Sequence, residues 1–124
     1  MMNIRTKKQK SKRLQEYVVN LILKTYPELT EDDVRSTYSS VPGPDILLSS
    51  RAKQLFPFDV ECKNHERINL YKFWEQLKKR SSGTELPLLV VKSNHKEVLF
   101  VMDEKTFIYL LTKEVQKNDA GKNS

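Results

Sequence analysis

The sequence has very little cysteine and histidine and no long apolar run. With one cysteine, Cys62, and two histidines it can form neither an internal disulfide nor a structural zinc site. The apolar stretch Val18–Leu23 is interrupted by Asn20 and followed by Lys24. That pattern excludes a membrane-spanning segment there and argues against a secretory signal. We therefore expect an intracellular protein, and 124 residues predict a single domain.

Acidic residues are absent from the first 13 positions, which hold six of the 22 basic residues. These six are Arg5, Lys7, Lys8, Lys10, Lys12 and Arg13. The rest of the chain has 16 basic and 16 acidic residues, so the net charge of +6 arises in this segment. A basic arm on a neutral body suits contact with DNA phosphates, and a solubilising tail is the alternative.

Only 38% of the residues are apolar, and both ends of the chain are poorer still. We predict a basic mobile arm over residues 1–13, a folded domain over 14–113 and a disordered tail over 114–124.

Apolar periodicity and turn residues predict an α/β fold with a central mixed four-stranded sheet flanked by helices. The predicted helices run from Ser11 to Tyr26, from a start at Thr30, around Leu70–Leu77, and from Asp103 to about Leu111. The predicted strands are Ile46–Leu48, Phe56–Lys63, Leu86–Val91 and Glu97–Met102, with a polar loop over Ser49–Gln54. The first two strands are expected to pair as an antiparallel hairpin.

Three charged residues of that hairpin indicate chemistry. Glu61 and Lys63 lie two positions apart in a strand and therefore share a face. Asp45, which enters the preceding strand, would approach Glu61 if the strands pair. Two neighbouring carboxylates raise each other's pKa unless a cation lies between them, and oxygen ligands of this kind suit Mg²⁺.

Other polar residues near the hairpin have ordinary alternatives. Asp59 shares the face of Glu61, and we expect contact with solvent or an ion pair rather than ligation. Glu16 lies on the apolar ridge of the first helix, so we expect it to be partly buried. The basic residues Lys72, Lys78, Lys79 and Arg80 are predicted to form a solvated helix face that could follow a DNA backbone.

The residues that carry this pattern resemble the PD-(D/E)xK nuclease superfamily, and within it small bacteriophage nucleases allied to Holliday-junction resolvases and restriction endonucleases. The similarity runs from about Leu14 to Gln76. It rests on the segments Leu14–Glu16, Asp32–Ser36, Gly43–Leu48, Phe56–Asn64 and Trp74–Gln76.

The resemblance implies a restriction-endonuclease-like core and a role for each matching position. Asp45 and Glu61 would bind Mg²⁺, for which Mn²⁺ could substitute, together with the backbone carbonyl of Cys62. Lys63 would be the catalytic lysine. Glu16 would be an auxiliary acid and Gln76 a residue that lines the site; one or two metal ions remain possible.

The implied function is a Mg²⁺-dependent DNA endonuclease that acts as a homodimer on branched or replication-intermediate DNA in the cytoplasm of a bacterial host. Asn64 and His65, which follow the active strand, would join the basic arm in DNA binding. The alternatives are a non-catalytic DNA-binding protein on the same fold and a protein-interaction module with a basic docking arm.

Overall fold

The computed structural model describes residues 4–37, 42–81, 83 and 85–122, and side chains between Lys7 and Lys113 within those ranges. Its elements, in chain order, are α1 (Ile4–Thr25), β1 (Val34–Ser36), β2 (Ile46–Leu48), α2 (Ser50–Leu55), β3 (Phe58–Asn64), α3 (Leu70–Arg80), β4 (Leu86–Lys92), β5 (Leu99–Val101) and α4 (Glu104–Lys122).

Helix α1 begins at Ile4, seven residues before the predicted start at Ser11. The basic segment contains no glycine or proline, and lysine, arginine and glutamine are good helix formers. Residues 4–13 of the predicted mobile arm therefore continue the helix, while residues 1–3 lie outside the described part of the chain. At its other end α1 stops before Pro27, as predicted.

The segment after Thr30 forms a strand, so the prediction of a helix there was wrong. The expected capping contact does exist, because the Asp33 carboxylate accepts a hydrogen bond from the Thr30 backbone N–H at 2.9 Å. The other Asp33 oxygen accepts a hydrogen bond from the Ser49 hydroxyl at 2.8 Å, which ties the turn to the start of α2. The β-branched residue Val34 is then buried in a two-stranded antiparallel ribbon with β2.

The sheet that contains β3 has three strands in the described residues, in the order β3-β4-β5, rather than the predicted four. β3 and β4 run parallel, and β4 and β5 run antiparallel. The expected hairpin between β2 and β3 does not form, because the predicted loop Ser49–Gln54 contains the helix α2. Ser49 caps this helix by accepting a hydrogen bond from Ala52 N–H at 3.1 Å.

The two faces of β3 pack against different helices. Val60 and Cys62 point into the main core, where Leu14 and Val18 of α1 are also buried. The opposite face is covered by α3, whose Phe73 and Leu77 pack with Leu89 and Val91 of β4. The predicted packing of α3 on the sheet is thus confirmed. Since side chains alternate along a strand, Asp59, Glu61 and Lys63 lie on this second face.

The last helix, α4, continues to Lys122, well beyond the predicted end near Leu111. It runs through most of the segment expected to be a disordered tail, while residues 123 and 124 lie outside the described part of the chain. No helix in the described residues is long and apolar enough to cross a membrane.

Candidate active site

Glu61 and Lys63 are paired on the α3 face of β3. The Lys63 ammonium lies 3.5 Å from a Glu61 carboxylate oxygen, and both side chains are largely shielded from solvent. The same ammonium sits 4.9 Å from the centre of the Phe73 ring, which limits where the lysine can move. The strand therefore holds an acid and an amine side by side, as the sequence predicts.

Asp45 docks on the edge of β3 through two hydrogen bonds. Its backbone N–H donates to the Val60 carbonyl at 3.1 Å, and its carboxylate accepts from the Cys62 N–H at 2.7 Å. Gly43, with φ of 114°, makes the turn that leads into this contact, a conformation that other residues rarely adopt. Asp45 is thus brought to Glu61 without the predicted strand pairing.

The turn that presents Asp45 is held by hydrogen bonds from Thr37, the residue that follows β1. Thr37 is buried; its backbone N–H donates to the Asp45 carbonyl at 2.9 Å, and its hydroxyl donates to the Pro44 carbonyl at 3.1 Å. A rigid turn of this kind limits the positions available to the Asp45 carboxylate.

The carboxyl of Asp45 has a strongly perturbed pKa. Burial raises it to about 6, with a further contribution from the negative charge of Glu61. The Cys62 N–H, Arg80 and Lys63 act in the opposite direction and only partly compensate. The two carboxylates therefore face a common space in which additional positive charge would be stabilised.

Arg80 is a functional candidate that the sequence analysis missed. Its guanidinium donates to Asp59 at 2.5 Å and to Glu61, so it bridges the two carboxylates. Burial alone would lower the pKa of Arg80. The hydrogen bonds to Asp59 and Glu61 outweigh that effect, so the pKa of Arg80 is raised. The predicted solvated helix face was thus wrong for Arg80, and Asp59 forms an ion pair as expected. The spacing of Phe73, Leu77 and Arg80, at i, i+4 and i+7, was the signal for a shared buried face.

The donor set at this edge suits a small hard cation. Asp45 and Glu61 supply carboxylate oxygens, and the Cys62 carbonyl faces the same strand edge as its N–H, which binds Asp45. Mg²⁺ is commonly bound by one or two carboxylates, with waters and phosphate oxygens in the remaining positions. No group of three acidic, histidine or cysteine side chains with metal-binding geometry occurs in the described residues. The residues therefore fit a two-carboxylate site, in which a cation would have to compete with Arg80 for Glu61.

The Cys62 thiol takes no part in this donor set. It is buried on the opposite face of β3, and burial, followed by the charges of Asp45 and Glu61, raises its pKa well above the ordinary value. A thiol that stays protonated is neither a nucleophile nor a metal ligand.

Two residues that the resemblance assigns to the site are exposed. Glu16 is exposed on α1 and lines a separate cleft with Arg35 and Ser36, so the expectation that it is partly buried was wrong. Its neighbour Gln15 is instead buried. Gln76 is exposed on α3, one turn before Arg80. The catalytic roles of Glu16 and Gln76 stay predictions.

The predicted DNA-binding residues divide into groups. Lys7, Lys10 and Arg13 line clefts at the end of β3 together with Asn64 and His65. The pKa of His65 is lowered by burial and then by the positive charges of Lys63 and Lys7.

The other basic residues of α1 lie outside these clefts. Lys12 donates to the Ser36 hydroxyl at 2.6 Å, toward the ribbon, and Lys8 is exposed. The side chain of Arg5 lies outside the described residues.

A family model described as phage putative PDDEXK endonuclease matches residues 30–122, which include Asp45, Glu61, Lys63 and Arg80. No curated protein and no solved structure matched the chain.

Proposed function

Because the chain belongs to the family of phage PDDEXK endonucleases, we propose that it is a metal-dependent endodeoxyribonuclease that hydrolyses DNA phosphodiester bonds. The observation that supports this most strongly is the docking of Asp45 on the edge of β3, beside Glu61 and Lys63. The raised pKa of Asp45 adds to it, since strongly perturbed carboxyls concentrate at functional sites.

A divalent cation held by Asp45, Glu61 and the Cys62 carbonyl would supply Lewis-acid activation of the scissile phosphate and of the attacking water. The protein's own contribution is to place these oxygens on a rigid strand edge. The Cys62 N–H fixes the Asp45 carboxylate, and the neighbouring Val60 carbonyl fixes its backbone.

Lys63 is the residue that would act on the substrate directly. Its ammonium, 3.5 Å from Glu61, is placed to offset the negative charge that develops on the phosphate as the bond to oxygen breaks. Arg80 acts through Glu61 and Asp59: it balances the charge of both acids and engages the carboxylate of Glu61, for which a cation would compete.

As the substrate we propose branched or replication-intermediate DNA, cut by a homodimer in the cytoplasm of the bacterial host. A junction has two strands to cut, and a symmetric dimer presents two active sites. Helix α4 supports a dimer, because Phe107, Ile108 and Leu111 form an exposed apolar stripe along it.

The test is a cleavage assay on a panel of junction, flap, single-stranded, mismatched and linear duplex DNA, with Mg²⁺, Mn²⁺ or EDTA. We expect cutting only with a divalent ion and fastest on branched substrates.

Lys63→Ala should slow a single turnover by about 100-fold or more and leave DNA binding intact. Lys24→Ala, an exposed lysine in the last turn of α1, is the matched control. Wild-type turnover by Lys63→Ala would refute the assigned role.

A non-catalytic DNA-binding protein on the same fold is the second candidate. The observation that favours it is the guanidinium of Arg80, which already engages Glu61 and supplies positive charge to the carboxylates. This candidate predicts tight, salt-sensitive DNA binding without cleavage of any substrate in the panel, whichever metal is added. Binding of an acidic protein in place of DNA would instead indicate an interaction module.

A further inference from the structure

Two neighbouring clefts beside the carboxyl ends of β3 and β4 share two of their lining residues. Their volumes are about 380 and 690 Å³, and both are lined by Lys10 and Asn64. The Asn64 side-chain amide donates to the Lys10 carbonyl at 3.2 Å, which ties α1 to the end of β3. We call this feature the basic groove, lined principally by Lys7, Lys10, Arg13, Tyr17, Asn64 and Lys92.

The basic groove is strongly positive. Lys7, Lys10, Arg13, Arg67 and Lys92 line it, against one acid, Glu66. Lys10 donates to the Asn94 side chain and Lys92 to the Ser93 carbonyl, which are neutral partners. In the part of the chain that the structure describes, no carboxylate forms an ion pair with these five cations. Their charge is therefore available to an anionic ligand.

The larger cleft also has an apolar surface, formed by Leu14, Tyr17 and Val98. Tyr17 is 49% exposed, although Leu14 and Val18 on the same helix are buried in the core. An exposed aromatic ring among lysines and arginines matches a nucleotide, whose base stacks on the ring while its phosphates contact the cations.

The basic groove opens next to the proposed active site. The ring of His65, at its edge, lies 5.1 Å from the ring of Phe73. The ammonium of Lys63 lies 4.9 Å from the centre of the same Phe73 ring. The groove begins within a few residues of Lys63 along β3, and each strand residue spans about 3.3 Å. A DNA strand held at Lys63 would therefore reach the groove.

We infer that the basic groove binds unpaired nucleotides of the strand that leaves the active site, with a base stacked on Tyr17 and phosphates held by Lys10, Arg13 and Lys92. In a duplex the faces of each base are covered by its neighbours, so only an unstacked base can lie on Tyr17. The inference rests on the proposed function and gives it a basis for selecting branched, flapped or tailed DNA over continuous duplex.

The test measures binding of labelled tailed and blunt duplexes to the full chain by fluorescence anisotropy in EDTA, where no metal-dependent cleavage occurs. Wild type should prefer the tailed duplex. Tyr17→Ala should weaken binding of the tailed duplex by roughly tenfold and leave blunt-duplex binding unchanged. Tyr17→Phe should keep the preference, because the ring is retained. Tyr71→Ala, which removes a 77% exposed tyrosine of α3, is the matched control and should have no effect.

The cations are tested by the salt dependence of the same binding. Arg13→Ala and Lys92→Ala should each reduce the slope of log K against log salt by about one. Lys24→Ala, at the opposite end of α1, is the control and should leave the slope unchanged. Thermal unfolding of each variant checks that it is folded.

The failure of this inference is distinct from the failure of the proposed function. If wild type cleaves DNA but Tyr17→Ala binds the tailed duplex as tightly as Tyr71→Ala does, the nucleotide site is refuted and the nuclease stands. If Tyr17→Ala weakened the binding of tailed and blunt DNA equally, the groove would contact only the backbone of the duplex. That result would overturn the base-stacking claim. Absence of binding to any DNA would contradict the proposed substrate itself.

Discussion

Asp45 illustrates how a carboxyl group can be placed where its own charge is unfavourable. The Cys62 N–H is a good hydrogen-bond donor to it, yet burial and the nearby Glu61 still raise its pKa to about 6. In the absence of a divalent ion this position therefore lowers the stability of the fold at neutral pH. Such a cost is typical of sites that are arranged for a ligand.

The first prediction follows from the sign of that shift. The ordinary pKa of Asp is 3.8, so between pH 3.8 and about 6 the unfolded chain loses this proton while the folded chain keeps it. The contribution of Asp45 to the free energy of unfolding falls across this window and stays low above it. Asp45→Asn should therefore stabilise the protein in EDTA at pH 7, on the order of 1–3 kcal/mol.

Urea unfolding in EDTA measures this change, with Asp32→Asn, an exposed acid, as the control. Added Mn²⁺ should raise the melting temperature of wild type and of Asp32→Asn, but not that of Asp45→Asn. Lower stability of Asp45→Asn in EDTA would contradict the assigned electrostatic cost.

The residues of the site differ in how far the sequence predicts them. Glu61 and Lys63 follow from the two-residue period of a strand, which requires no knowledge of the rest of the fold. Glu16 was predicted to be partly buried, but its neighbour Gln15 is the residue that is buried. Adjacent helix residues differ by 100° around the axis, and apolar spacing alone does not distinguish two such positions at the border of the apolar face. Arg80 was misassigned because it was grouped with the neighbouring basic residues as a solvated face, although its spacing from Phe73 and Leu77 places it on the packed face of α3.

At the scale of elements, α3 combines a packing role with an electrostatic one. Phe73 and Leu77 pack against β4, and Arg80, at the end of the helix, reaches Asp59 and Glu61. The position of the helix on the sheet therefore sets the position of the guanidinium. A change in this packing would alter the charge balance at Glu61.

The second prediction concerns Arg80→Gln. Removal of the guanidinium leaves Asp59 and Glu61 partly buried beside each other without their shared cation. We expect a loss of about 1–3 kcal/mol in EDTA, smaller than for a fully buried pair because all three side chains retain some exposure. Because the competing cation is gone, Mn²⁺ should bind several-fold more tightly, as measured by titration calorimetry.

Lys79→Gln, an exposed neighbour on α3, is the control for Arg80→Gln. The double variant Asp59→Asn/Arg80→Gln should be less destabilised than the sum of the single changes, since the pair is coupled. Weaker Mn²⁺ binding by Arg80→Gln would mean that Arg80 orients Glu61 for the ion and does not compete with it.

The third prediction concerns the start of α4, which Asp103 caps. Its carboxylate accepts a hydrogen bond from the Thr106 N–H at 2.9 Å, and it lies 3.9 Å from the Lys78 ammonium of α3. Hydrogen bonds from Thr106 lower the pKa of Asp103. Its stabilising contribution is therefore present above the ordinary pKa of 3.8 and is lost as pH falls through the lower value of the folded state.

Asp103→Ala should cost about 1 kcal/mol and Asp103→Asn less, because asparagine also caps helices. Chemical denaturation at pH 7 measures both changes, and the difference between wild type and Asp103→Ala should shrink in acid. An equal loss for the two variants would indicate that the charge, rather than the cap, is the stabilising element.

At the scale of the whole molecule, the sequence predicts the α/β class and most of the strands but not how the strands are joined. Local periodicity identifies β3, β4 and β5, because their apolar residues alternate or form buried runs. β2 was predicted with the bounds that it has, but its partner β1 was predicted as part of a helix, so the ribbon that the two strands form was missed. The helix α2 was missed because six residues are too few for a clear periodic signal. The crossover that replaces the predicted hairpin was therefore missed as well.

The last prediction concerns assembly, and it depends on how α4 is exposed. Thr106 is buried, and Leu110 packs against the main core, so this side of the helix faces the protein. Phe107, Ile108 and Leu111 lie on a different side and are each about half exposed. A helix that is apolar on both sides is usually covered on both, which favours a second copy on the outer stripe.

Sedimentation equilibrium should therefore give about twice the chain mass of 14.6 kDa for wild type, and a single chain for Phe107→Glu. Tyr71→Glu, an equally drastic change at an exposed aromatic residue of α3, is the control and should stay dimeric. Because each subunit keeps Asp45, Glu61 and Lys63, the Phe107→Glu monomer should still nick supercoiled plasmid but should lose paired incision of a junction. A monomeric wild type at the concentrations used for cleavage, or a dimeric Phe107→Glu, would exclude this stripe as the dimer interface.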